Sequence, residues 1–258
     1  MMTIKNAADI QKMQAAGRVV EGTLALMGRL AKPGVSTLEL DRAAEEYIRS
    51  QGATPSFLHY NGYPKSICTS VNEQVVHGIP GHYRLKEGDI IGVDVGAKLD
   101  GFHGDAARTF LIGQVDPAVE ELVRVTRECF FEGLKFARPG YRISDISRAV
   151  QAHAEAHGYG VVRELIGHGI GRDMHEPPDV PNFVGGGFGR GVRLTPGMTI
   201  AVEPMINLGG REVLQKSDGW TVVTRDGKPS AHYENTIAIT EDEPLLLTFS
   251  QEVDHVPC

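Results

Sequence analysis

Apolar positions at Ile10, Met13, Val20, Leu24 and Met27, with Gly17 in the same series, recur at spacings of three and four. This predicts an amphipathic helix over about residues 7–30. Asn6, with Asp9 three residues later, supplies its cap. Pro33-Gly34 then breaks the chain, Ser36 and Glu39 fit a capping box, and Gly52 marks the stop of a second helix. Further on, "VDVGAKLDGFHGDAARTF" reads as two apolar runs around Asp100-Gly101, a dipeptide suited to a type I′ hairpin turn.

The same grammar returns later in the chain. In "RPGYRISDISRAVQAHAEAHG", Pro139, Arg148 and Gly158 each lie 106 residues after Pro33, Arg42 and Gly52. An amphipathic segment with Val119, Leu122, Phe130 and Leu134 precedes it. "KEGDIIGVDVG" aligns with "TPGMTIAVEPM" at an offset of 109, which sets Asp94 against Glu203; "GDAARTFLI" resembles "YENTIAITE" and sets Asp105 against Glu234. So long a period excludes a short-repeat solenoid. It predicts one domain over 1–258 built of two similar α-α-β halves, about 1–115 and 116–250, with their strands in one central layer.

The Asp100-Gly101 turn pairs Leu99 with Phe102, Ala97 with Gly104, Gly96 with Asp105 and Asp94 with Ala107. Period-two alternation then places Asp94 and Asp105 on one face, roughly 7 Å apart at Cα. Two readings stand at this point: a solvent-facing hairpin with ordinary surface aspartates, or a buried pair that needs a cation, because an isolated buried charge is very costly. The second half adds His168 in "GHGIG", Glu203 in "VEPM" and Glu234 in "HYENT". One imidazole and four carboxylates are too anionic for a single zinc and balance two dications. Two such ions roughly 3.5–4 Å apart would turn a bridging water into a nucleophile near neutral pH.

Composition narrows the partners. A net charge of -7 gives no broad basic surface, so nucleic acid is not expected as a substrate. The first residues, "MMTIKNAADI", carry neither a signal-peptide core nor a transit pattern, and no run of ~18 apolar residues occurs, so a cytoplasmic location and no membrane association are expected. The 3 cysteines lack C-x-x-C spacing, which fits a reducing compartment.

At these residues the sequence resembles the type I methionine aminopeptidases. The blocks "YNGYPKSICTSVNEQVVHGIPG", "VDVGAKLDGFHGDAARTF", "GHGIGRDMHEPPDVPNF", "VEPM" and "DGWTVVTRDGKPSAHYENT" stand in the family's order and cover nearly the whole chain. The resemblance implies an α+β pita-bread fold, pseudo-two-fold halves around a central antiparallel sheet, in a single catalytic domain. It implies removal of the initiator methionine from nascent polypeptides whose second residue is small, through a hydroxide bridging two divalent ions (Co, Mn, Fe or Zn). Asp94, Asp105, His168, Glu203 and Glu234 carry over as ligands, with Asp105 and Glu234 bridging. Glu203 would also shuttle a proton, His175 would donate to the oxyanion, and His77 would position the leaving amide. The methionine pocket maps to Tyr60, Tyr63, Cys68 and Trp220. Phe57, Gly96 and Met174 depart from side chains seen in relatives and bear on the pocket's shape. A monovalent cation near Asn72, Gln74 and Ser230, a transient ribosome contact and a monomeric state are further implications.

Other histidines invite plainer readings. His59, His82, His153, His232 and His255 are expected at surfaces or in loops, and His157 at a helix end. "VGGGFGRGVRLTPG" lacks a phosphate-loop pattern and is expected to be a flexible loop. The rival functions are a proline-specific peptidase, whose relatives usually carry a large amino-terminal domain, a creatinase-like protein without metals, a non-catalytic binding protein that has lost ligands, and a dinucleotide enzyme. The complete ligand set and the absence of a glycine fingerprint favour the metallopeptidase.

Overall fold

Residues 3–185 and 187–249 are described by the structure, a computed structural model; His255 and Cys258 lie outside them. Helix α1 (Ala7–Leu30) begins where Asn6 and Asp9 each accept the other's backbone N–H. The exchange satisfies two donors that a helix start leaves over. Helix α2 (Thr37–Ser50) opens with the same reciprocal pair at Ser36 and Glu39. Helix α3 (Pro117–Leu134) has Asp116 as its cap and proline at its first position. Helix α4 (Ile143–Ala156) starts at Arg142, which brings no side-chain oxygen. Its Ile143 and Ser144 N–H groups donate instead to the carbonyls of Val192 and Arg190. Part of the glycine-rich stretch expected as a free loop is therefore docked on a helix end.

The strands Ile90–Leu99 and Phe102–Leu111 pair along their whole length in the register that the turn dipeptide predicts, with Gly96 opposite Asp105 and Asp94 opposite Ala107. Asp100 and Gly101 both take positive φ, 50° and 81°, as a type I′ turn demands. Thr54–Pro55 and Cys68–Val71 complete this sheet and set Cys68 across from Asp94. The later strands form a five-stranded sheet in the order Leu245–Leu246, Asn235–Ala238, Thr199–Val202, Gly167–Gly169 and Glu176–Val180. Two three-stranded sheets complete the strands of the described residues.

The central antiparallel layer is thus stitched from several sheets. Its seam is a pair of backbone hydrogen bonds between Ala107 and Glu234, at 3.0 and 3.4 Å. Pro204 has no N–H to give a ladder, and Thr199–Val202 ends before Glu203. Glu234 likewise falls between Ser230–His232 and Asn235–Ala238. The second pair of carboxylates sits at strand breaks, whereas Asp94 and Asp105 sit within strands.

One apolar core joins Leu122 and Phe130 of α3 and Ile146 and Val150 of α4 to Ile200, Ile206 and Ile237. Another joins Leu24 and Met27 of α1 and Leu40 and Ile48 of α2 to Ile91, Val93 and Val95. Fully buried side chains of this kind contribute about 1.5–3 kcal/mol each, enough to hold the layer between its helices. Helix α1 lies so close to neighbouring backbone at Gly17 that a Cβ there would stand 1.8 Å from the Leu247 carbonyl oxygen. A third, smaller cluster, including Met13, Phe57, Tyr63, Phe102 and Met174, lies where the cavity described below opens. No helix among the described residues is long and apolar enough to cross a membrane.

Candidate metal centre

Asp94, Asp105, His168, Glu203 and Glu234 line one cavity of about 300 Å³. The first hairpin brings the two aspartates, Gly167–Gly169 brings His168, and the two strand breaks bring the glutamates. His168 Nε2 stands 3.8 Å from Asp105 Oδ2 and 3.7 Å from Glu203 Oε1. Its Nδ1 is 2.9 Å from the Gly169 carbonyl, a contact that makes Nδ1 the donor and leaves the Nε2 lone pair towards the carboxylates. Burial lowers the His168 pKa to about 3, so the ring is neutral at physiological pH.

The carboxylates are placed where water cannot stabilise their charge. Burial, then the charge of Asp94, raises Asp105 and Glu203 well above the ordinary range. Glu234 is raised by burial, then by Asp105 and Glu203. Burial pushes Asp94 up to about 7. Asp94 Oδ1, Asp105 Oδ1, Glu234 Oε1 and His232 Nε2 are buried and have no hydrogen-bond partner among the described residues. An unpaired buried polar group costs about 1–3 kcal/mol, and more when charged. Arg108, in the same hairpin, donates to the carbonyls of Ala107, Glu234 and Thr248 and to the amide oxygen of Asn235.

Within this cluster two sets of donors, Asp105, His168 and Glu234, and Asp94, His232 and Glu234, each have their ligand atoms within 4.8 Å of one another. Orphaned oxygens, a neutral imidazole and donors so spaced fit divalent cations of the Mn, Fe, Co or Zn kind.

Tyr60, Tyr63, Cys68, His77, His175 and Trp220 line the same cavity, together with Phe57 and Met174. His175 Nδ1 is 2.8 Å from Tyr60 Oη, and the rings stack. Tyr60 is flanked by His59 and Asn61, both at positive φ. Tyr63 packs edge-on to Trp220 and donates to the carbonyls of Ile67 and Gly78. His77 holds φ 58°, a costly conformation for a non-glycine residue that concentrates at functional sites. Burial lowers its pKa to about 4. Gly96 lies behind the wall: a Cβ there would meet Phe57 Cε1 and Ser56 Cβ at 2.8 Å, so the aromatic at 57 occupies space that the glycine leaves.

Some residues were not foreseen. His232, expected at the surface, is 4% exposed and reaches to 3.7 Å from Glu234 Oε2. Its position two residues before Glu234 was the available signal, since i and i+2 share a strand face. Asn61, Val76, Leu165, Ile166 and Met205 line the cavity. Asn72, Gln74 and Ser230 are outside it; the Ser230 N–H donates to the Asn72 carbonyl at 2.9 Å, and the Gln74 side chain accepts from Val71.

Residues 11–241 match the pattern of metallopeptidase family M24. The methionine aminopeptidase of Clostridium perfringens is 52% identical over 96% of this chain and 99% of its own. Methionine aminopeptidase 1 of Bacillus subtilis is 50% identical over 96% and 99%. The chain belongs to the methionine aminopeptidases of metallopeptidase family M24. The crystal structure of the Thermotoga maritima methionine aminopeptidase superposes on this M24 chain with a TM-score of 0.94, at 43% identity, covering 97% of this chain and 100% of the other. The prolidase of Pyrococcus furiosus shares the fold at a TM-score of 0.77 and 20% identity, with 96% of this chain spanning 65% of the prolidase. This M24 chain is therefore a metallo-aminopeptidase with the pita-bread fold, a hydrolase that acts at peptide N-termini.

Proposed function

We propose that this aminopeptidase removes the initiator methionine from nascent chains whose second residue is small, using two divalent ions that Asp94, Asp105, His168, Glu203 and Glu234 would hold. The observation that carries this reading is the convergence of four carboxylates and a neutral imidazole on one cavity, with buried oxygens that have no donor. When bound, the ions supply a water deprotonated near neutral pH and Lewis acidity at the scissile carbonyl.

The chain's own groups do the rest. Glu203, as the carboxylate, takes the proton of the attacking water and delivers it to the leaving amine. Tyr60 Oη, donating to His175 Nδ1, fixes the tautomer in which Nε2–H donates to the developing oxyanion. His77 positions the leaving amide. Tyr60, Tyr63, Cys68 and Trp220, with Phe57 and Met174, receive the methionine side chain, whose polarizable thioether suits aromatic and thiol neighbours. A cavity of about 300 Å³ must hold that side chain and the scissile bond together, which favours a small second residue. A monovalent ion at backbone oxygens of Asn72, Gln74 and Ser230 would brace the loop before His77. The whole chain works as one catalytic domain of two similar halves, and the substrates emerge from the ribosome.

The test is to strip the metal, reload with Mn or Co, and compare methionine release from a Met-Ala peptide with cleavage of Gly-Pro. Release from Met-Ala with no Gly-Pro cleavage is expected. Preference for Gly-Pro would move the chain to the proline-specific peptidases.

A further inference from the structure

We propose that His232 is a sixth donor of the metal centre, its Nε2 binding the divalent ion held between Asp94 and Glu234, so that each of the two donor sets contains one imidazole. The inference rests on the reading that the cavity binds two divalent ions.

Its backbone gives His232 a fixed origin. The His232 N–H donates to Thr109 Oγ1, and that hydroxyl donates to the His232 carbonyl, both at 3.0 Å, so the residue is clamped to the first hairpin. Met205 lies directly across from it on the neighbouring strand. From there Nε2 ends 3.7 Å from Glu234 Oε2, too long for a hydrogen bond. That separation matches the 3.7 and 3.8 Å between His168 Nε2 and its carboxylate neighbours. Two donors about 2.0–2.2 Å from one ion are themselves about 3 to 3.5 Å apart. The spacing therefore suits groups drawn onto a shared cation by a slight adjustment. Nε2 is buried without a hydrogen-bond partner among the described residues, and its donor atom, with those of Asp94 and Glu234, falls within 4.8 Å. A cation satisfies that nitrogen and the orphaned Asp94 and Glu234 oxygens at once. The chemical consequence is a mixed nitrogen and oxygen environment at both subsites, which shifts preference from Mn towards Co, Fe and Zn.

The test uses stripped full-length protein carrying His153→Ala, which removes the partly exposed trio of Glu128, His153 and His157 as a competing cluster. Co(II) is titrated calorimetrically into this protein and into its His232→Gln derivative, and the imidazoles per bound ion pair are counted by X-ray absorption. Two equivalents should bind, with two imidazoles per ion pair. His232→Gln should weaken one equivalent by about 10-fold or more, leave the other unchanged and reduce the count to one. A count of one in the protein that retains His232 overturns the proposal without any reliance on the variant's folding. Weakened binding with an unchanged count also overturns it, since His232 would then only position Glu234. Failure to bind two equivalents at all would instead remove the two-ion reading beneath it.

Discussion

In the proposed mechanism Glu203 has two tasks, holding a cation and moving a proton, and its amide would separate them. Glu203→Gln should give a folded protein whose kcat falls by about 10² to 10⁴-fold, as expected when a positioned acid–base group is lost. Wild-type turnover in that variant would refute the shuttle. His175→Ala should lose kcat while metal binding, followed calorimetrically, is largely retained; loss of metal as the main defect would make His175 a ligand. Behind the cavity, Gly96→Thr should destabilise by about 1–3 kcal/mol in denaturant melts, because the new Cβ overlaps Phe57 and Ser56. Phe57→Cys should relieve much of that cost in the double variant, and strict additivity would contradict the contact. The register of Asp94 and Asp105 was legible at this scale, because a single turn dipeptide sets it. The burial of His232 was signalled only by its place two residues before Glu234, which does not by itself say whether a ring is buried or exposed.

Among the elements, the turn 172–176 that carries Met174 and His175 is held from outside the cavity. Glu176 accepts the backbone N–H groups of Arg172 and Asp173 and pairs with Lys5 at 2.6 Å, with both side chains buried. Burial raises the Glu176 pKa, but hydrogen bonds from Lys5 and Thr3 outweigh it, so the carboxylate stays ionised. Lys5→Met leaves that charge buried and unpaired, and should cost about 3 kcal/mol in a denaturant melt and lower activity as the turn loosens. A loss within about 0.5 kcal/mol would show that the backbone donors suffice. Helices α1 and α2 were readable because their capping boxes are local signals, and Asn6 with Asp9 and Ser36 with Glu39 form them as spaced. The start of α4 was not, since its donors are satisfied by carbonyls about 50 residues away in sequence, in a stretch whose glycines suggested only a loop. Pro204 could have announced the strand break at Glu203, but the alignment with Asp94 favoured a continuous strand.

For the whole molecule, metal binding should couple to pH with a definite sign. The buried carboxyls hold protons in the folded state that a divalent ion must displace, and burial sets Asp94 at about 7. The buried imidazoles of His168 and His232 are neutral above about 3 and do not compete. Affinity, and with it the gap in Tm between Mn-loaded and stripped protein, should widen as pH rises from 5 to 7.5. A gap that narrows over that range would contradict the assignment of these carboxyls as ligands. The central claim is tested most directly by anomalous diffraction from crystals soaked in Mn(II). Two ions in the cavity, touching Asp94, Asp105, His168, Glu203 and Glu234, are predicted. Carboxylates scattered, or neutralised by arginine and lysine side chains with no ion between them, would contradict it.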